Sequence, residues 1–260
     1  MSDLAVSLAA AACVFAGGAI GLQLHRVLPN RHLTKETLEV VRLGTGMVSV
    51  LASLVFGLLI ATAKSTSDTA DREMRAYAAD IILLDRTLRS YGEEAVMPRA
   101  LLRQATERTL RDLWPGPNDA FIGLDDASAG ALLERAQEAI ESLGTANSPQ
   151  AWTRQQALQT ASSLLRQRWL LIEQAGPSVK PAILTILIFW TVGIFVSFGL
   201  NAPRNATVVG AFLIISLVIG GAVFLILEMD SHFEGLLRLS DLSLRRALAE
   251  MSGSTDAAGL

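Results

Sequence analysis

The chain has 260 residues, 51% of them hydrophobic and only 18% charged, with 22 Lys and Arg against 25 Asp and Glu for a net charge of −3. A soluble domain carries about 25% charged residues, so a disordered chain is excluded, and so is a nucleic-acid binder, whose affinity needs excess positive charge. The single cysteine, Cys13, excludes an intrachain disulfide framework, and no Cys/His spacing suggests a zinc site.

What remains is a polytopic membrane protein, since about 20 apolar residues cross ~30 Å of hydrocarbon as a helix. Residues 4–24 carry no charge and form the first such stretch. Met1, Ser2 and Asp3 offer no positive flank, and the run exceeds the roughly 7–15 apolar residues of a signal peptide, so a retained helix is expected. Cys13 is then a small apolar side chain inside the span. A short loop, 25–42, leads to a second uncharged stretch, 43–63, which Lys64 ends.

Residues 64–181 read as a helical extramembrane domain. Ala70, Met74, Tyr77, Ile81, Leu84 and Leu88 recur at spacings of three and four, so an amphipathic helix over 64–91 continues directly from the second span. Pro98 suits the first residue of a helix over 98–113. A turn over 114–119 precedes a helix over 128–143, ended by Gly144, and Ser148-Pro149 opens a last helix that reaches Gly176-Pro177. Basic and acidic residues are interspersed, as on a solvated helical face. Strand alternation, a glycine-rich phosphate loop and a nucleophile elbow are absent.

Residues 182–200, preceded by Pro181, and 206–227, followed by Glu228, complete four spans, with a tight loop at 201–205 and a tail at 228–260. The fold class is therefore all-α. With four crossings, both termini and the helical domain share one side of the membrane. Positive charges near span ends do not decide which side. The first loop is dense in them (Arg26, Arg31, Lys35, Arg42), while the opposite side has more in total.

None of the spans holds an ionisable residue, so proton relay, voltage sensing and charge-compensated cation transport have no carrier. The second span instead places Thr45, Ser49, Ser53, Gly57 and Ala61 at successive steps of four, and the first repeats the pattern with Ala5, Ala9, Cys13, Gly17 and Gly21. Such rows suit close helix packing at a right-handed crossing. Alternatively, the Ser49 and Ser53 hydroxyls face a water-filled path as weak ion ligands. The other side of that helix, with Val48, Leu51, Val55, Leu58 and Leu59, suits either a hydrophobic gate or a lipid-facing surface. After the fourth span, Glu228, Asp230 and Glu234 oppose the helix macrodipole and need compensation. Arg238, Arg166, Arg168 or Lys180 would supply it as ion pairs, and a divalent cation is the other reading, leaving metal binding open. His232 in this run reads as a surface residue or a pH sensor. His25 and His32, flanking Pro29, make no metal pair. No nucleophile–base constellation, catalytic carboxylate pair or cofactor motif is present, so the reading is of a protein that is not an enzyme and needs no cofactor.

Two runs carry a resemblance. Phe198-Gly199-Leu200-Asn201-Ala202-Pro203-Arg204-Asn205 joins two spans, and the run from Leu227 through Asp230, Phe233 and Gly235 to Ser240 leaves the second of them. Together they resemble the bestrophin-like domain of membrane proteins, a domain of unknown function whose pattern is D-x-P-F-x-G, with His232 here in place of the proline. Phe56-Gly57-Leu58-Leu59, Trp114-Pro115 and Pro181 also fit, and the resemblance covers about residues 40–250. It implies kinship with bestrophins, which are pentameric anion channels whose second helix lines the pore and whose acidic stretch after the last span binds calcium. Residues 43–63 would then line a pore and 228–234 would lie near a gating site. The helical domain and both termini would be cytoplasmic, the membrane a bacterial inner membrane. The partners implied are the lipid bilayer, sister copies and small inorganic anions, with no nucleic acid. A non-conducting scaffold or sensor is the alternative.

Overall fold

Among the residues that the computed structural model describes, 3–29, 34–115, 127–144, 147–174, 181–230 and 239–253, every regular element is helical. They are α1 (Asp3–Val27), α2 (Lys35–Tyr91), α3 (Val96–Leu113), α4 (Ala127–Glu141), α5 (Ser148–Gln174), α6 (Pro181–Asn201), α7 (Ala206–Asp230) and α8 (Leu242–Gly253), with one 3-10 turn at Glu93–Ala95. Short polar side chains start several of them. Thr34 Oγ1 accepts from the Thr37 amide at 3.3 Å, Asn147 Oδ1 from Gln150 at 2.9 Å and Asn205 Oδ1 from Val208 at 2.8 Å. Each satisfies an amide that the first helical turn leaves without a partner.

The chain divides into two units that share α2. One holds α1, α6, α7 and the part of α2 up to Thr66; the other holds the rest of α2 with α3, α4, α5 and α8. Helices α1, α2, α6 and α7 are long and apolar enough to cross a membrane.

In the first unit α1 packs along both α6 and α7. Its buried side is Ser7, Ala10, Ala11, Val14, Gly17, Gly18 and Gly21, an alternation of threes and fours that keeps one face on its neighbours. Were these helices in hydrocarbon, apolar burial between them would gain little, and close van der Waals approach would hold them together. Glycines provide it. A Cβ on Gly21 would run into the Val196 carbonyl and the Gly199 backbone of α6, and one on Gly220 of α7 would meet Ala11 and the Ser7 carbonyl. Beside this seam Val14, Leu187, Ile194, Phe195, Phe212 and Ile226 form a core, to which α2 adds Ala52 and Leu59. The Phe195 and Phe212 rings meet at 5.7 Å, tilted by 53°.

In the second unit, Met74, Tyr77, Ile81, Leu84 and Leu88 of α2 are buried against α3, α4, α5 and α8. The expected amphipathic stripe is thus the core face of a helix that continues without a break from the apolar stretch. Gly92, at φ 115°, ends α2 in a conformation that a side chain would strain. Pro98 is the third residue of α3, which starts two residues earlier than expected, and it still sits where no intrahelical amide bond is lost. Helix α8 was not foreseen in the 228–260 tail. Leu244, Ala247 and Met251 are its buried face.

Candidate functional site

The second apolar helix differs from the other three in how little of it is covered. Only 11% of its most apolar stretch is buried, against 39% for α1, 39% for α6 and 28% for α7. Ala52, Phe56 and Leu59 turn toward the first unit's own core, and on the same side Thr45 and Ser49 are half-buried and Ala63 is buried. The far side, Leu43, Met47, Val50, Leu54 and Leu58, is a continuous apolar stripe, with Met47 70% and Val50 71% exposed.

The small-residue row does not share one environment. At 3.6 residues per turn each step of four advances about 40°, so the row winds about 160° from Thr45 to Ala61. Thr45 is half-buried and its hydroxyl donates to Ser197 Oγ of α6 at 2.6 Å. Ser49 is half-buried, whereas Ser53, Gly57 and Ala61 are exposed. A Cβ at Gly57 would meet no atom within 4 Å. Ser49 and Ser53 donate to the carbonyls of Thr45 and Ser49, at 2.8 and 2.9 Å, so neither hydroxyl proton points away from its own helix. Of the other side, Leu59 is buried and Val55 half-buried, while Val48, Leu51 and Leu58 are exposed. In the first span the row divides as well. Ala5, Ala9 and Cys13 are exposed, and only Gly17 and Gly21 lie in the packed seam.

The run from Phe198 to Asn205 comprises the last turn of α6 and the tight loop that leads to α7. Asn201 Nδ2 donates to the Ser197 carbonyl at 2.9 Å, and Arg204 Nε donates to the Leu22 carbonyl of α1 at 3.0 Å. Together with the Asn205 cap, these bonds fix where α7 starts relative to α1 and α6.

At the other end of α7, Glu228 and Asp230 are buried and both are engaged in interactions. Glu234, His232, Lys180 and Arg238 lie outside the described residues, as does His32. Among the described residues no group of three His, Cys, Asp or Glu is placed to hold a metal ion. In the second unit Arg166 is exposed and Arg168 is buried. Arg166 joins Asp80, Gln156, Gln159, Thr160 and Ser163 along an open polar groove of about 550 Å³. Arg168 lies by Tyr77, whose hydroxyl is held above its usual pKa by burial. The Arg168 charge and the polar Thr109 and Arg168 side chains pull the other way.

Two further polar sites in this unit were not foreseen. Asp85 is buried and accepts from Arg89 at 2.9 Å and Arg99 at 2.8 Å. Trp114, of the Trp114-Pro115 pair that also fits the resemblance, is buried and its indole donates to the Leu239 carbonyl at 2.9 Å. An acid at the 85 register of an otherwise apolar helix face was the available signal for the first. The second joins residues 125 apart and has none in the sequence.

A family model for the bestrophin-like domain matches residues 12–244. Solved structures of a bestrophin homologue from Klebsiella pneumoniae are similar along almost the whole chain. A tryptophan-to-alanine variant superposes with a TM-score of 0.71 at 14% identity, covering 98% of this chain and 99% of that one. A tyrosine-to-alanine variant gives 0.64 at 13% identity, covering 94% and 99%. A leucine-to-threonine variant gives 0.64 at 13%, covering 93% and 98%. At such identities the likeness is one of fold. No curated protein matches the sequence.

Proposed function

Because the chain belongs to the bestrophin-like family, we propose that it is an integral membrane channel passing small inorganic anions, assembled as a homo-oligomer of five copies as bestrophins are. The observation that carries this reading is the bare far side of α2, with its stripe Leu43, Met47, Val50, Leu54 and Leu58. Helices α1, α6 and α7 cover one another, while α2 has one face on them and the rest open. Copies arranged about an axis would cover the flanks of α2 through Ser53, Gly57 and Ala61, where small side chains allow close approach. The apolar stripe would then form a constriction that gates by dewetting. The spans carry no ionisable side chain, which suits a path with no fixed charge binding the ion tightly. On this reading the membrane is a bacterial inner membrane, with the helical domain and both termini cytoplasmic. The buried pair Glu228 and Asp230, with Glu234, would lie next to the gating region at the end of α7.

Purified protein in planar bilayers tests the proposal. Chloride or nitrate current is expected, and Leu54→Ala, which widens the constriction, should raise it. Absence of current from an intact oligomer across a range of voltages would overturn the reading.

A second reading is a non-conducting scaffold or sensor. It is favoured by α2 itself, a single helix of 57 residues that runs from the apolar stretch into the core of the helical domain. Ser49→Leu or Ser53→Leu would then disrupt assembly, with no current to alter.

A further inference from the structure

Hydroxyls in the apolar helices have two ways to satisfy themselves, and the protein uses both. Thr191 and Ser216 each donate to the carbonyl four residues back, at 2.8 and 2.7 Å, as do Ser49 and Ser53 of α2. Thr45 does not; it reaches across to Ser197 of α6 at 2.6 Å. The exception falls at a weak point of α2, because Thr45 stands between Gly44 and Gly46. A Cβ at either glycine would meet nothing within 4 Å, so neither is explained by close packing. Glycine in a helix interior weakens it, and helices bend at such points.

We propose that Thr45 and Ser197 form a latch that holds the Gly44–Gly46 segment of α2 against α6, and that its release lets this end of the helix swing. The inference rests on the channel reading for its consequence, since the angle of α2 would set the width of the constriction. Release leaves no orphaned polar group. Thr45 can turn back to the Val41 carbonyl and Ser197 to that of Gly193, the arrangement the neighbouring hydroxyls already use. A hydrogen bond with such a fallback is worth far less than the penalty for an unsatisfied hydroxyl in hydrocarbon, so latched and unlatched states differ by little. The two residues are positioning residues, acting through α2.

The test uses the full chain in lipid. Thr45→Val keeps the shape and removes the donor; Ser197→Ala removes the acceptor; Thr45→Ser keeps the bond. Thr45→Val and Ser197→Ala should each change the open fraction roughly three- to tenfold in the same direction. The double variant should go no further than either single, and Thr45→Ser should restore the parent behaviour. Additive effects, or Thr45→Ser behaving as Thr45→Val, would overturn the latch. A second measurement does not depend on conduction. Spin labels on α2 and α6 in a Cys13→Ser background should give a narrow distance distribution in the parent and in Thr45→Ser, broadened in Thr45→Val. An unchanged distribution in Thr45→Val refutes the latch even if no current is ever seen, whereas broadening without current leaves the latch standing and removes the channel.

Discussion

Gly21 of α1 and Gly199 of α6 are in backbone contact, and neither has room for a Cβ. The clash would be with main chain, which cannot rotate aside as a side chain can. Gly199→Ala should therefore separate α1 from α6 and destabilise the first unit by about 1–3 kcal/mol or more. Thermal unfolding of purified protein in detergent measures it, and an unfolding temperature equal to the parent's would show that the seam is looser than the structure has it.

Gly57 is the contrasting case, exposed and with open space where its side chain would be. Within one chain Gly57→Ala should be neutral or raise helix stability by up to about 1 kcal/mol. Gly57→Leu is informative about copies. If sister chains cover this flank of α2, the larger side chain should weaken the oligomer while the separated chain melts as before. Light scattering in detergent reads the mass, and an unaltered oligomer would place Gly57 on lipid.

The four apolar helices were legible because each has enough uncharged residues to be identified by length alone, and the stripe from Ala70 to Leu88 because its period is helical. Partners were harder to read. Ala5, Ala9 and Cys13 look the same in sequence as Gly17 and Gly21, yet only the glycines lie in the seam. Steps of four drift around a helix, whereas contact over several turns requires threes and fours to alternate. The same drift carries Thr45 and Ala61 of one row to opposite sides of α2. Thr45 and Ser197 are 152 residues apart, and their bond depends on the helix angle, which no local pattern encodes. Helix α8 was missed because 12 residues give one short apolar face, easily taken for a tail.

Asp85 should matter more to stability than any exposed ion pair. Its carboxylate is buried and is held by two arginines. Asp85→Ala removes the anion and leaves two guanidinium groups crowded together. Breaking a buried pair costs about 3–5 kcal/mol, but Arg89 and Arg99 retain some solvent contact, so about 2–3 kcal/mol is expected. Arg103→Ala, which breaks an exposed pair with Glu107, should cost under about 1 kcal/mol. Chemical denaturation of the two variants in parallel checks the order, and equal losses would contradict it.

Trp114 ties the end of α3 to the segment that leads into α8. Trp114→Phe keeps most of the buried ring but removes the indole donor, leaving the Leu239 carbonyl without its partner at a cost of about 1–3 kcal/mol. The loss should be local. Amide exchange is expected to quicken in α8, at Leu244 and Ala247, while α4 keeps its protection. Uniform quickening through the second unit would mean that the bond supports the whole core.

Tyr77 links stability to alkaline pH. Burial holds its folded-state pKa above the ordinary value of 10.0, despite the Arg168 charge and the polar groups beside it. Above that value the unfolded chain releases a proton that the folded chain keeps, so rising pH favours unfolding. The contribution is fully present below about pH 10 and is lost as pH climbs from there through the folded-state pKa. Tyr77→Phe removes this slope, so parent and variant should diverge in alkaline sensitivity only above about pH 10. The chain has two tyrosines, Tyr77 and Tyr91, and the difference in absorbance titration between parent and Tyr77→Phe isolates the buried one. A difference titrating at the ordinary value would show that water reaches the Tyr77 hydroxyl and that the core of the helical domain opens around it.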